Sequence, residues 1–524
     1  DRSLRGRLLG ARPTSGLWGW LGPLVVTAIG GLLRFWDLGR PHQLVFDETY
    51  YVKQGSSYLL HGYERSVAPS ISSVPKKADE LFTSGTTDIW GPAADFVVHP
   101  PVGKWMIAFG EQIFGVDSSF GWRFASAVCG TLSILMLARI ARRLFGSTLL
   151  GCVAGLLLAF DGHHFVHSRT GLLDLFVMFW ALAGFGALLV DRDRARDRLA
   201  AKVAAARTAA GGGTARLDGF GPGLGLRPWR VVGGICLGLC AGTKWSGLFF
   251  LAAFAVMSVL WDVGARRAAG VRRWWLGGAL RDGVPAFVSL VPVAALAYLA
   301  SWTGWFVTKG GWDRQWGAQN PSRDWGFVPD SVRGLWHYHA EMYQFNVGLT
   351  SPHPYKTNPW SWVIQGRPTS FFYEDPKLGE DGCTVAACSK AITSIGTPIL
   401  WWGGLLAVFV LLAMWALRRD WRAGAVLAGL LAGWGPWFLF QERTIYSFYA
   451  VAFVPWLVLG VTYVLGLVIG RSDATGRRRT IGAAIAGTYV VSCVLLFFFF
   501  WPVYTAQVIP YAEWARRMWF PSWI

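Results

Sequence analysis

Charge is what this chain has least of. Only 15% of its 524 residues are charged, against 53% hydrophobic, and mean hydropathy is +0.36. So little charge cannot clothe a water-soluble domain of this length, which excludes a soluble globular architecture. No internal repeat and no separate soluble domain stands out. Cysteine is also sparse. Five of the seven (Cys129, Cys152, Cys236, Cys240 and Cys493) fall in apolar stretches, where a thiol packs as a small hydrophobe. No Cys or His spacing reads as a zinc site. Acids are outnumbered by bases, 31 to 49, for a net charge of +18. Nucleic-acid binding is a poor reading of that excess, because the bases lie mainly in short loops between apolar runs, which is the orientation signal of a membrane protein. No cleavable signal peptide is expected either. The first apolar run is too long for one and reads as a signal anchor. A start at Asp1 rather than Met leads one to expect residues before it.

What the chain has in quantity is long apolar runs, several above the 18 residues that cross about 30 Å of hydrocarbon. They predict an all-α polytopic membrane protein, a single integral membrane domain over 1–524. The 31 Trp fit interfacial belts and the 64 Gly fit close helix packing. Eleven spans are expected, near 18–36, 120–140, 148–162, 171–190, 231–243, 245–261, 284–306, 397–417, 423–440, 448–469 and 481–501. The basic clusters orient them. These are Arg2, Arg5, Arg7 and Arg12; Arg139, Arg142 and Arg143; nine Lys or Arg in 191–230; Arg266, Arg267, Arg272 and Arg273; Arg418, Arg419 and Arg422; and Arg471 with Arg477 to Arg479. All fall on one side, with the N-terminus cytoplasmic, only if 231–261 is two short spans. The break at Gly242-Thr243-Lys244-Trp245-Ser246-Gly247 supports that hairpin, since half-length spans are tolerated inside protein. The inner loop 191–230, rich in Ala, Gly and Arg, is expected to be mobile. Two long loops, 37–119 and 307–395, are expected outside. In the first, 47–60 and 102–114 read as helices lying in the interface plane. In the second, Cys383 and Cys388 flank a short polar turn and are expected to pair if it faces an oxidising compartment.

Chemistry concentrates at a few places. Asp47-Glu48 lies just after the first span, between aromatic neighbours. Carboxylates at the lip of a membrane protein are costly to desolvate and usually have a task; the bland alternative is that Asp47 caps an interfacial helix. His99-Pro100-Pro101-Val102-Gly103-Lys104 follows. Its prolines make a rigid entry into a helix, and Lys104 sits in the first turn, where the helix dipole disfavours a cation. An anionic partner, a phosphate or Asp47-Glu48, accounts for it, as does a lipid headgroup. Between the third and fourth spans runs Asp161-Gly162-His163-His164 through His167-Ser168-Arg169 to Asp174. Three histidines so close, without carboxylate help, do not make a convincing metal site, and no metal ligand is assigned. Asp174 needs a cation, Arg169 or Lys244. Arg123 and Arg443 suit a phosphate, because a guanidinium offers paired donors, although Arg123 reads equally as an interfacial anchor.

In order and spacing, these stretches resemble the protein O-mannosyltransferases, lipid-phosphosugar-dependent enzymes with the GT-C fold. The resemblance covers about residues 30–190 and 335–510. It rests on the Asp47-Glu48 pair, on His99 to Lys104, on Arg123 after it, on Ser168-Arg169 through Asp174, and on Ser351-Pro352-His353-Pro354-Tyr355, a slightly altered form of the family's Ser-His-Pro motif. The second long loop is too short for the β-trefoil of eukaryotic members, so the chain resembles a bacterial, actinobacterial-type member. The resemblance implies a polyprenyl-phosphate-mannose donor, a Ser or Thr acceptor on a secreted polypeptide, possible contact with the secretion machinery, and inverting transfer at the outer face of the cytoplasmic membrane. Such a transfer needs one base, and a phosphate leaving group needs no general acid. Asp47 is the expected base, and Glu48 is expected to orient the acceptor or a cation. Lys104, Arg123 and Arg443 are expected near the phosphate, His353 and Tyr355 on the acceptor side, and His99, Asp161, Arg169 and Asp174 in the remaining substrate site. No cofactor is required, and a divalent metal is compatible but not implied. A relative moving aminoarabinose or arabinose is the alternative within the fold. A transporter is disfavoured, because the charges cluster at the outer surface rather than at the midplane.

Overall fold

The computed structural model describes residues 4–10, 16–74, 76–209, 217, 219–471 and 473–524. Arg2 and Arg12 of the basic N-terminus, and residues 210–216 and 218 of the 191–230 segment, lie outside the described residues. Among the described residues, eight helical stretches are long and apolar enough to cross a membrane: Trp18–Phe35, Ser119–Phe145, Leu173–Ala209, Gly247–Ala268, Trp274–Ser301, Pro398–Arg418, Ser447–Ile469 and Gly476–Tyr504. Three shorter apolar helices, Thr148–Ala159, Pro228–Ala241 and Trp421–Gly433, occupy the other three positions where a span was expected. The protein is thus a multi-pass helical membrane protein.

Local chemistry sets the helix ends. Ser118 accepts a hydrogen bond from Gly121 N and opens Ser119–Phe145, and Gly146, at φ 67°, closes it. Ser147 at once caps the next helix through Leu150 N. The break at 242–246 separates Pro228–Ala241 from Gly247–Ala268. The short helix Pro228–Ala241 packs tightly on Val284–Ser301 through Gly234 and Gly238. A Cβ at Gly238 would lie 2.4 Å from the Ala294 carbonyl oxygen, so only glycine permits this approach.

Tertiary contacts sort the loops onto two faces. Gln43 Nε2 donates to Glu374 Oε1 at 3.0 Å, joining the first long loop to the second. Strands β1 (Arg65–Val67) and β2 (Trp90–Ala94) pair within the first. In the second, β3 (Ser370–Glu374) pairs antiparallel with β4 (Cys388–Thr393), which pairs in turn with β5 (Val508–Pro510) from beyond the last span. The chain after Tyr504 therefore folds onto the second loop. Cys383 and Cys388 form a disulfide at the β3–β4 turn. On the opposite face, Arg5 meets Asp197 at 2.6 Å and Arg196 donates to the Leu8 carbonyl at 2.8 Å.

One segment departs from expectation. Residues 191–209, expected in a mobile loop, continue the helix Leu173–Ala209. Leu199 and Val203 are buried against Leu8 and Ala265, which supplies the apolar contact that composition alone does not reveal. Buried ion pairs fasten its root: Arg227 reaches Asp191 at 2.5 Å and Asp262 at 2.7 Å, and Arg230 also reaches Asp262.

Candidate active site

The acidic pair divides its work through backbone geometry. Phe46 adopts φ 50°, a left-handed conformation costly for a bulky residue. Its ring is held by Phe371, stacked at 4.8 Å, and by Phe448, edge-on at 5.2 Å. After this turn the helix Glu48–His61 begins with Asp47 as its N-cap residue, yet the Asp47 side chain makes no capping bond. Glu48, by contrast, is fully buried and accepts four hydrogen bonds: from Val45 N at 2.9 Å, Gly171 N at 2.7 Å, and Arg123 Nε and Nη2 at 2.9 Å each. Glu48 is thereby fixed, and the half-buried Asp47 carboxylate makes no hydrogen bond among the described residues. Burial pushes that carboxyl up to about 6; Lys244 opposes the rise and Asp174 adds to it.

Arg123 and Lys104, expected at a phosphate, are engaged within the protein. Arg123 has five N–H groups. Two meet Glu48, and the rest meet the carbonyls of Leu38 (3.3 Å), Pro41 (2.9 Å) and Gln43 (2.8 Å). It ties the opening turns of the first loop to the acidic turn and has no donor left for a ligand. Lys104 is buried, with Nζ 2.5 Å from Glu64 Oε1 and 2.7 Å from the His99 carbonyl. The anionic partner that its position demanded is Glu64, which the sequence reading had not singled out.

The cation whose charge reaches Asp47 comes from elsewhere. Lys244, in the break of the short hairpin, pairs with Asp174 at 2.7 Å. Its ammonium lies 5.9 Å from the Tyr51 ring centre and 5.3 Å from that of Tyr449. Arg443 is held by Asn346, through Nε to its carbonyl at 2.7 Å and Nη2 to its Oδ1 at 3.0 Å. The guanidinium also hydrogen-bonds the Tyr449 side chain. His99, Asp174, Lys244, Asn346, Arg443 and Tyr449 line one small cavity. Burial, then the charges of Lys244, Lys104 and Arg443, hold His99 well below the usual imidazole range, so it is neutral there. The cavity thus joins two cations and a neutral imidazole, and the charge of one of them, Lys244, reaches the Asp47 carboxyl. That set can accept a proton on one side and stabilise a developing phosphate charge on the other.

Asp161 and Arg169 are not part of this group. Asp161 caps the turn Gly162–His167 through His164 N at 2.9 Å and binds Thr397 N and the Trp401 indole. Arg169 donates to the carbonyls of Arg34, Trp36 and Asp37, closing the C-terminal end of the first span. Both are knots of the scaffold. His353 is exposed. Its ring stands edge-on to Tyr446 at 5.1 Å, Tyr446 stacks on Phe448, and Phe448 touches Phe46. Tyr355 lies beside it under the Arg367 guanidinium. An aromatic path therefore leads from His353 to the Asp47 turn. Asn346, Tyr449 and Glu64 were missed because nothing in their local sequence marks them; Lys244 carried a signal, a lone cation in a helix break. Among the described residues no metal-ligating group surrounds Asp47; the one that forms is Asp313, His337 and Glu341, in the second long loop.

Comparison with known proteins places this geometry in context. Residues 24–206 match the family described as dolichyl-phosphate-mannose-protein mannosyltransferase, and residues 331–523 match the C-terminal four-transmembrane region of protein O-mannosyltransferase. The chain is 38% identical to a polyprenol-phosphate-mannose–protein mannosyltransferase of Mycobacterium tuberculosis, over 98% of this chain and 93% of that protein. It is 34% identical to its counterpart in Corynebacterium glutamicum, over 95% and 91%. In structure it resembles a Saccharomyces cerevisiae protein O-mannosyltransferase complex bound to the sugar donor, with TM-score 0.73, 14% identity, and coverage of 100% of this chain and 95% of that one. That likeness shows a shared GT-C fold.

Proposed function

The chain belongs to the protein O-mannosyltransferase family, and from that premise we propose that it moves mannose from polyprenyl-phosphate-mannose to Ser or Thr hydroxyls of secreted polypeptides, inverting the sugar. The face carrying the two long loops is turned outward from the cytoplasmic membrane and the basic face inward, a reading that the Lys/Arg placement supports. Acceptors then meet the site as they emerge from the secretion machinery.

Asp47 is the base. It takes the acceptor proton as the hydroxyl oxygen forms its bond to the anomeric carbon and the bond from that carbon to the donor phosphate breaks. The released phosphate carries the electron pair, and Lys244 and Arg443 stabilise it. Two cations in a water-poor cavity suffice for such a leaving group, so the scheme calls on no metal ion. Glu48 and Arg123 hold the turn that aims Asp47. The donor's lipid tail fits an apolar groove of about 470 Å³ beside the cavity, lined by Val102, Trp105, Met106, Phe124, Leu239 and Ala297. His353 and Tyr355, at the open end of the aromatic path, meet the acceptor. One observation carries the reading: of two adjacent carboxylates, one makes no hydrogen bond among the described residues and feels the Lys244 charge, while the other is locked by four hydrogen bonds. The test is mannose transfer from radiolabelled polyprenyl-phosphate-mannose to a Thr/Pro-rich peptide, with wild type and Asp47→Asn side by side. Transfer by wild type alone, with donor binding kept in both, supports the reading. Equal transfer by both removes Asp47 as base, and binding without transfer by either requires another sugar or acceptor.

A further inference from the structure

We propose that the second long loop holds a divalent cation of the Zn²⁺ class on Asp313, His337 and Glu341. His337 and Glu341 are four residues apart on the helix Asp330–Gly348 and so project from one face. Asp313 approaches them from the turn after the short helix Thr303–Val307. One ligand atom from each lies within 4.8 Å of the others. His337 Nδ1 and Asp313 Oδ2 are 2.6 Å apart; around a tetrahedral ion with bonds of about 2.1 Å this widens to about 3.4 Å, a small side-chain rotation. Water completes the coordination, since all three residues are half-buried and reachable from solvent.

Charge balance is what points to a cation. Two carboxylates converge on one imidazole, and among the described residues neither has a Lys or Arg partner, in a chain of net charge +18. The nearby arginines turn elsewhere. Arg314 donates to the carbonyls of Trp305 and Phe306. Arg333 reaches Asp330 and the carbonyls of Gly317 and Asn320. The ligands are also held in place by their neighbours. Trp316 stacks on the His337 ring at 4.1 Å and 11°, and the Trp312 indole N–H binds Glu341 Oε2 at 2.8 Å, the kind of outer support that orients metal ligands. One imidazole with two carboxylates selects Zn²⁺-like ions over Ca²⁺ or Mg²⁺, which prefer all-oxygen sites.

The ion's role follows from the helix it binds. The far end of Asp330–Gly348 carries Asn346, which holds Arg443, and Tyr338 on the same helix exchanges hydrogen bonds with Val97, two residues before His99. Fastening the helix to the Asp313 turn steadies one wall of the cavity. This functional arm rests on the reading of Arg443 as a phosphate ligand; the binding arm does not.

The experiment uses full-length, tag-free protein in detergent, stripped with a chelator, desalted and titrated with Zn²⁺ against a chromophoric competitor, with bound metal counted by mass spectrometry. Wild type is expected to hold one Zn²⁺ per chain and to melt at a higher temperature with it. His337→Ala is expected to lose the ion. Glu341→Gln, which still accepts from Trp312, is expected to fold and bind at least about tenfold more weakly. Zinc binding that is absent in wild type, or equal in wild type and Glu341→Gln, overturns the site. If binding follows expectation while donor KM is the same with and without Zn²⁺, the site stands and its link to Arg443 falls.

Discussion

The sharpest prediction concerns the acid limb of the activity profile. An Asp of ordinary acidity, near 3.8, would remain ionised throughout the range in which a membrane enzyme is assayed. Asp47 is pushed up to about 6, mainly by burial. A base must be unprotonated to act, so the effect has one sign: activity falls as pH drops through 6. With that value about nine-tenths of Asp47 is ionised at pH 7 and about one-tenth at pH 5, a roughly tenfold loss in kcat/KM over two pH units. Asp47→Asn removes proton acceptance altogether and is expected to lower turnover about 10²- to 10⁴-fold. Lys244 favours the ionised form, so Lys244→Gln moves the remaining acid limb to higher pH. The assay is initial-rate transfer from radiolabelled donor to peptide at saturating detergent-solubilised lipid, from pH 5 to pH 8. Thermal melts at each pH separate inactivation from titration. A flat profile between pH 5 and pH 7 in intact protein, or more than a tenth of wild-type turnover in Asp47→Asn, would refute the assignment of the base.

Other substitutions test the neighbouring parts. Arg123→Met leaves Glu48 buried without its cation and should destabilise the protein by about 3–5 kcal/mol, seen as a large drop in thermal midpoint; a midpoint within a degree of wild type would contradict its structural role. Arg443→Ala should weaken donor binding by roughly 10- to 100-fold, the worth of one hydrogen bond to a charged group, while leaving the melt near that of wild type; unchanged donor KM would take Arg443 off the phosphate. Gly238→Val forces a Cβ to within 2.4 Å of the Ala294 carbonyl oxygen and should reduce the yield of folded protein in membranes.

The spans, the hairpin break and the two long loops were legible in the sequence because each rests on a property carried by contiguous residues. An apolar run of sufficient length crosses a membrane whatever surrounds it, and Lys and Arg placement orients it. The acidic pair stood out for the same reason: two carboxylates at the lip of a span are expensive wherever the chain goes next. Which partner each charge meets could not be read locally. Glu48 and Arg123 are 75 residues apart, Lys104 and Glu64 are 40, Asp174 and Lys244 are 70, and Asn346 and Arg443 are 97. Arg123 and Arg443 look alike as isolated guanidiniums; one is saturated by Glu48 and loop carbonyls, and the other is held by Asn346 and Tyr449 in the cavity wall. The helix at 191–209 needed the apolar faces of Leu8 and Ala265 to exist, and the return of the chain after Tyr504 needed the unpaired edge of β4. Sequence by itself determined a many-span membrane protein, because hydrophobic length and charge scarcity are additive along the chain. Tertiary structure alone decided which carboxylate is locked by hydrogen bonds and which charge reaches the other, because desolvation and pairing depend on neighbours that only folding brings together.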